Sequence, residues 1–279
     1  MKNILLLTDF SDNSRNAIEY ALKFFRGFKY NFFILNVHKV SKYTTADLMS
    51  SSKDETIYDS IVKNPKAELN KMIEEYKQRY SSEDYLFKSI CDYDVFVSAV
   101  KQTVNLQGID LIIMGTNGAT GAMEVIFGSN TVSVIRNIDC PVLVIPQGFR
   151  FRELNKILFT TEFNETIYEK SLKTLQRIID KHQTELDILI LNKEDILPDS
   201  LKSKKNRLNS FFKGYKLNYY TITNVPIDFA MNCFEQIKKV DLIAKIINKE
   251  SFLKRLVSGS KTDNITYESR VPLLIMHPK

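Results

Sequence analysis

The sequence predicts an α/β protein made of two repeated doubly wound domains, each a five-stranded parallel sheet with helices on both faces. Three observations predict it. The first is an internal repeat: Asp110 and Asp241, Gly128 and Gly259, and Pro141 and Pro272 are each separated by 131 residues, with no gap needed between them. The second is a set of short, nearly continuous apolar runs, the pattern of strands covered on both faces. The third is the helical periodicity of the segments between those runs, which makes strand and helix alternate and the sheet parallel.

Taken in order, the first strand is Ile4–Leu7, and the capping cluster Ser11-Asp12-Asn13 opens a helix whose Ala17, Ile18, Ala21, Leu22 and Phe25 share one face. Phe32–Val37 is the second strand, and residues 86–90 supply a third. Segment 41–82 departs from this rhythm, with the polar stretch Thr44–Thr56 leading into a charged helix near 67–79; it reads as a surface excursion. Val97, Val100 and Val104 recur at helical spacing, Leu111–Met114 is the next strand, Val132–Arg136 lies in a helix, and Val142–Ile145 closes the half. The second half opens in the same way, Lys156-Ile-Leu-Phe-Thr-Thr-Glu162 lying against Asn3-Ile-Leu-Leu-Leu-Thr-Asp9. Gln147–Glu153, flanked by strand-like segments and carrying Gly148 just after Pro146, marks the boundary between domains 1–146 and 154–279. So short a linker predicts that the halves associate as an intramolecular pseudo-dimer.

Composition narrows the function classes. The 39 basic and 33 acidic residues give a net charge of +6, spread along the chain rather than blocked. Lys202, Lys204, Lys205 and Arg207 form the densest basic stretch, without interleaved aromatics, so they read as a solvated helix face and nucleic acid is not indicated. Cys91, Cys140 and Cys233 are too few and too scattered for a disulfide framework, and His38, His182 and His277 fall into no metal-ligand spacing. The opening Ile4-Leu5-Leu6-Leu7 run meets Asp9 too soon for a signal peptide or membrane span, which predicts a cytoplasmic protein without a membrane partner.

The chemistry is concentrated in Met114-Gly-Thr-Asn-Gly-Ala-Thr-Gly-Ala-Met-Glu-Val-Ile-Phe-Gly-Ser-Asn-Thr131, which leaves a buried strand and leads into a helix. Glycines at 115 and 118 let the backbone turn and approach a ligand. Gly128, Ser129 and Asn130 fall where a helix begins with unpaired N–H groups, which suit a phosphate. Ligands of open parallel sheets bind beyond the carboxyl ends of the strands, where Asp9, Val37 and Gly115 all lie. A carboxylate at Asp9 suits ribose hydroxyls or an adenine edge, with Thr8 and Val37 as the wall of a base pocket.

At these residues the chain resembles the universal stress protein family, whose ATP-binding members share the spacing Gly115-x2-Gly118-x9-Gly128-Ser129. The resemblance also takes in the strand ending at Asp9, the run Asp110-Leu-Ile-Ile-Met-Gly and the closing Cys140-Pro-Val-Leu-Val-Ile-Pro, and extends over both halves. It implies an adenine nucleotide alpha hydrolase-like fold, a regulatory role in stress response, and ATP or another adenine nucleotide as ligand. Asp9 would meet the ribose or adenine, Val37 the base, Met114 and Gly115 the ribose, and Gly118, Gly128, Ser129 and Asn130 the phosphates; apart from the resemblance, Asp9 or Glu124 offers a single carboxylate to a Mg²⁺ ion. The resemblance also implies further assembly into a homo-oligomer. The chain departs from the family pattern at Ala119 and Glu124, where a basic residue is frequent.

In the second half Ile246 aligns with Gly115 and Lys249 with Gly118, although Gly259 and Ser260 survive. A β-branched residue is a poor substitute for glycine in a turn needing positive φ, so one nucleotide per chain is expected, in the first half. Two other classes stay open. A weak ATP hydrolase or phosphotransfer enzyme would use the same site, but residues 115–131 contain no P-loop and no Lys or Arg for a transferring phosphoryl group. A nucleotide-free interaction module would use the glycine loop only as structure.

Overall fold

The computed structural model describes residues 1–38, 57–116, 128–162, 168–192, 198–225, 227–247 and 271–278. The chain divides into two compact units, Met1–Gly115 with Ser129–Cys140, and Thr116–Gly128 with Pro141–Lys279.

In the first unit the strands are β1 (Asn3–Thr8), β2 (Tyr30–His38), β3 (Tyr85–Tyr93) and β4 (Leu111–Gly115), ordered β3-β2-β1-β4 and all parallel. Ile4, Leu5, Leu6, Phe32, Ile34, Leu111 and Ile112 are fully buried, as the continuous apolar runs require of strands covered on both faces. Helix α1 (Asp12–Phe24) packs on β1 and β4, sending Ala17, Ile18, Ala21 and Leu22 inward. Helix α2 (Ile57–Arg79) is more than a surface excursion: Leu69, Met72, Ile73 and Tyr76 are buried, and it packs on β3 and β2. The charged residues around it concealed that apolar stripe. Helix α3 (Phe96–Gln107) packs against α4 (Ser129–Asn137).

The second unit contains β5 (Val142–Ile145), β6 (Lys156–Glu162), β7 (Glu185–Asn192), β8 (Leu217–Thr223), β9 (Leu242–Ile246) and β10 (Leu273–Met276), ordered β5-β10-β9-β6-β7-β8. Neighbouring strands are parallel except β5 and β10, which run antiparallel with Leu274 opposite Leu143. Helices α5 (Glu169–His182), α6 (Pro198–Phe211) and α7 (Ile227–Lys238) complete it.

The repeat is also legible in three dimensions. In the first half, Asp110 Oδ2 accepts backbone N–H bonds from Lys2 at 2.7 Å and Asn3 at 3.1 Å. In the second, Asp241 Oδ2 accepts them from Asn155 at 2.9 Å and Lys156 at 3.0 Å. Each carboxylate thus ties the entry of the half's first strand to the strand beside it, satisfying N–H groups that a strand end leaves orphaned. Asp241 is further paired with Arg152 at 3.0 Å.

A second correspondence costs the later half stability. Gly108 closes α3 in the left-handed conformation, φ 56°, whereas Lys239, the matching residue after α7, takes φ 50° with a β-carbon. That conformation is unfavourable for a side-chain-bearing residue, and Lys239 is exposed. Lys239→Gly should therefore raise stability by about 0.5–1 kcal/mol in urea denaturation, while Gly108→Lys should lower it by a similar amount.

Candidate functional site

The parallel order β2-β1-β4 brings three carboxyl ends to one edge of the first unit. Thr8 is in register with Asn36, and the pairing of Leu6 with Ile113 carries Thr8 and Gly115 to the same level. Thr8 and Met114 are buried, Val37 and Gly115 partly exposed, and Asp9 exposed just beyond β1. The strand ends thus bring together Thr8, Asp9, Val37, Met114 and Gly115.

The turn from β1 into α1 is fixed by a chain of hydrogen bonds. Ser11 is the N-cap of α1, its side chain accepting from the Ser14 N–H. The Thr8 and Ser14 hydroxyls lie 3.0 Å apart, the Phe10 N–H donates to Thr8 Oγ1, and Ser14 Oγ donates to the Ser11 carbonyl at 2.9 Å. Phe10, at φ 65°, holds the left-handed conformation that lets the chain reverse, and Arg15 Nε donates to its carbonyl at 3.3 Å. Beneath this turn, Asn36 Nδ2 donates to the Thr8 carbonyl at 2.8 Å.

Asp9 is held rather than capping the helix itself. The Ser11 hydroxyl and N–H both donate to Asp9 Oδ1, at 2.6 and 3.1 Å. Partial desolvation pushes the carboxyl up, but the bonds from Ser11 outweigh it and hold Asp9 below its ordinary value of 3.8. The group is an anion across the physiological range, placed just beyond the carboxyl end of β1.

Gly115 is required for a different reason than the sequence implied. It does not adopt left-handed backbone; a β-carbon there would lie 2.8 Å from Asn13 Nδ2 and 2.9 Å from the Asn13 carbonyl oxygen. The end of β4 and the first turn of α1 are therefore in backbone contact. Helix α4 begins at Ser129, as the sequence predicts, with Ser129 and Asn130 exposed. Gly128 immediately precedes that helix, whereas Gly118, Ala119 and Glu124 lie outside the described residues. No group of three or more His, Cys, Asp or Glu side chains able to hold a metal occurs among the described residues.

The second half differs at the corresponding level. Ile246, the last residue of β9, aligns with Gly115 and is 5% exposed, so a whole side chain is buried where the first half admits no β-carbon. Lys245 and Thr160 stand where the first half has Met114 and Leu7, in register across β9 and β6, and both are buried. Lys249, Gly259 and Ser260 lie outside the described residues.

Two residues that sequence reasoning passed over take part in this geometry. Asn13 is what Gly115 approaches, and a capping cluster gave no sign of that. Asn36 did leave a signal: it interrupts the apolar run Phe32–Val37 with a carboxamide at 2% exposure.

A model of the universal stress protein family matches residues 1–146. Two universal stress proteins of Methanocaldococcus jannaschii align with about half of this chain. One is 32% identical over 157 residues, 52% of this chain and 94% of its own length. The other is 29% identical over 150 residues, 52% and 81%. A universal stress protein structure from Archaeoglobus fulgidus shares the fold along nearly the whole chain, with a TM-score of 0.75, 17% identity, and coverage of 99% of this chain and 98% of that one. No described helix is long and apolar enough to cross a membrane.

Two outcomes follow from the geometry. Gly115→Ala should destabilise the protein by about 1–3 kcal/mol, because the new β-carbon overlaps backbone that a rotamer change cannot clear; urea denaturation measures it, and an unchanged midpoint contradicts the contact. A carboxyl lowered on folding stabilises the protein above its unfolded value, a contribution lost as pH falls through the folded value. Ser11→Ala should accordingly move the Asp9 value upward in an NMR carboxyl titration and shrink that acid-range contribution, with about 1 kcal/mol of stability lost besides from the missing cap.

Proposed function

The chain belongs to the universal stress protein family, and from that premise we propose that its first half binds an adenine nucleotide, ATP or a close relative, as a regulatory ligand in stress response. The observation that carries this reading is Asp9: an anion held by two bonds from Ser11, at the edge where β1, β2 and β4 end and where Gly115 lets the start of α1 close onto β4. An oriented carboxylate accepts two hydroxyl donors well, which is what a ribose presents.

In this reading Asp9 receives the ribose hydroxyls or the adenine edge, Thr8 and Val37 wall the base, and Met114 and Gly115 border the ribose. Gly118, Gly128, Ser129 and Asn130 serve the phosphates, with backbone N–H groups at the start of α4 supplying the positive end of a helix. Asp9 or Glu124 would offer the carboxylate for a Mg²⁺ ion accompanying the phosphates. The second half carries no nucleotide in this reading, since Ile246 stands at the position of Gly115, where the close approach of β4 to α1 admits no β-carbon. Regulation requires that the nucleotide favour one state of the protein over another, so its effect is bounded by the difference in affinity between those states.

Mass spectrometry of small molecules released from the purified protein should find an adenine nucleotide, and calorimetry should record one ATP per chain. Asp9→Ala should weaken ATP binding about 10- to 100-fold, the loss of hydrogen bonds to a charged acceptor. Neither released nucleotide nor ATP heat would sink the reading, and ATP turnover in the wild type well above that of Asp9→Ala would move it to the enzyme class.

A further inference from the structure

Building on the nucleotide reading, we propose that Asn36 is the positioning residue of the site: its buried carboxamide fixes the Thr8–Asp9 peptide and thereby aims the Asp9 carboxylate.

Thr8 is the last residue of β1 and Asp9 the next. A peptide unit is planar, so a bond that fixes the Thr8 carbonyl also fixes the direction of the Asp9 N–H and the position of its Cα. Asn36 Nδ2 makes such a bond at 2.8 Å, from the neighbouring strand and from the residue just before Val37. The same contact therefore sets the spacing of the two strand ends between which a base would enter. From the helix side, the Thr8 hydroxyl meets Ser14, Ser14 donates to the Ser11 carbonyl, and the Ser11 hydroxyl donates to Asp9. Asp9 is thus held from two directions, through its backbone from Asn36 and through its carboxylate from Ser11.

The fold itself does not require this arrangement. Asn36 is 2% exposed and its Oδ1 has no hydrogen-bond partner among the described residues, which makes the side chain a cost to stability. In the second half, Thr161 stands in the place of Thr8, and the residue in register with it is Ile190, fully buried. The same strand pair thus forms with an apolar side chain at that position. The half that keeps the costly carboxamide is the half that keeps Gly115; the half with Ile190 has Ile246 instead. A polar side chain that packing does not need, placed one peptide from the carboxylate on which the site turns, is explained by the orientation of that carboxylate.

Full-length protein carrying Asn36→Leu, which keeps the branch at Cγ and removes both polar atoms, tests this. Ile190 shows that an aliphatic residue is tolerated at this register, so the variant should fold with a midpoint in urea no lower than the wild type. Its ATP affinity by calorimetry should fall about tenfold, and its Asp9 carboxyl should titrate higher by NMR. Asn36→His, whose Nδ1–H stands the same number of bonds from Cα as the Asn36 amide, should restore both readouts. ATP affinity equal to wild type in the folded Leu variant overturns the proposal. Should the wild type itself fail to bind ATP, the nucleotide reading falls while the titration still decides the positioning role: an Asp9 value that Asn36→Leu leaves unmoved overturns it.

Discussion

The first half is organised around an approach of two backbones so close that no β-carbon fits between them. Where β4 ends, Gly115 meets the carbonyl of Asn13 in the first turn of α1, and this contact sets how near the start of α1 lies to the sheet. Much of the site's geometry depends on it. With α1 seated there, Ser14 reaches the hydroxyl of Thr8, Ser11 caps the helix and holds Asp9, and Phe10 takes a left-handed conformation to make the reversal. A side chain at 115 would push α1 outward and loosen each of these bonds together, since side chains that share partners do not act independently.

The elements that the sequence made plain are those in which pattern and environment agree. Ile4–Leu7, Phe32–Val37, Leu111–Met114 and Val142–Ile145 are apolar on both faces because the strands are covered on both faces, and the observed strands contain all four runs. The constant offset between halves carries through to the paired carboxylates Asp110 and Asp241, each accepting two N–H groups at the entry of a first strand. Helix α2 was less legible because charged residues crowd its exposed face while only Leu69, Met72, Ile73 and Tyr76 mark its buried one. Within the site, residue types told where chemistry would gather but not why each was needed. Gly115 looked like a turn glycine, and its actual constraint, a collision with Asn13, joins residues about a hundred positions apart and leaves no local trace.

Comparing the halves separates what the fold needs from what the site needs, because the same strand order is built twice from different side chains. Both halves keep the carboxylate clamp at the amino ends of their first strands, and both bury the same apolar runs. At the carboxyl ends they part. The first half has Leu7, Asn36, Met114 and Gly115 where the second has Thr160, Ile190, Lys245 and Ile246, and all of these except Gly115 are buried. The amino edge keeps its clamp although Gly108 there gives way to Lys239, while the carboxyl edge exchanges four residues at strand ends, so the edges answer to different demands: one to strand docking, the other to whatever is bound there.

The side chains at the first half's carboxyl edge follow the logic of a site that must exist before its ligand arrives. Burying Asn36 with an oxygen that has no partner among the described residues and placing Phe10 in a left-handed conformation both lower the stability of the free protein. Against that, each removes freedom from Asp9, which would otherwise have to be ordered at the moment of binding. A flexible carboxylate on an exposed turn would lose part of its interaction energy in becoming fixed. One already aimed by Ser11 and steadied through Thr8 loses little. With Ile190 and Ile246 in the corresponding places, the second half carries neither the buried carboxamide nor the glycine contact, which is the pattern expected when only one of two duplicated edges is held to a binding function.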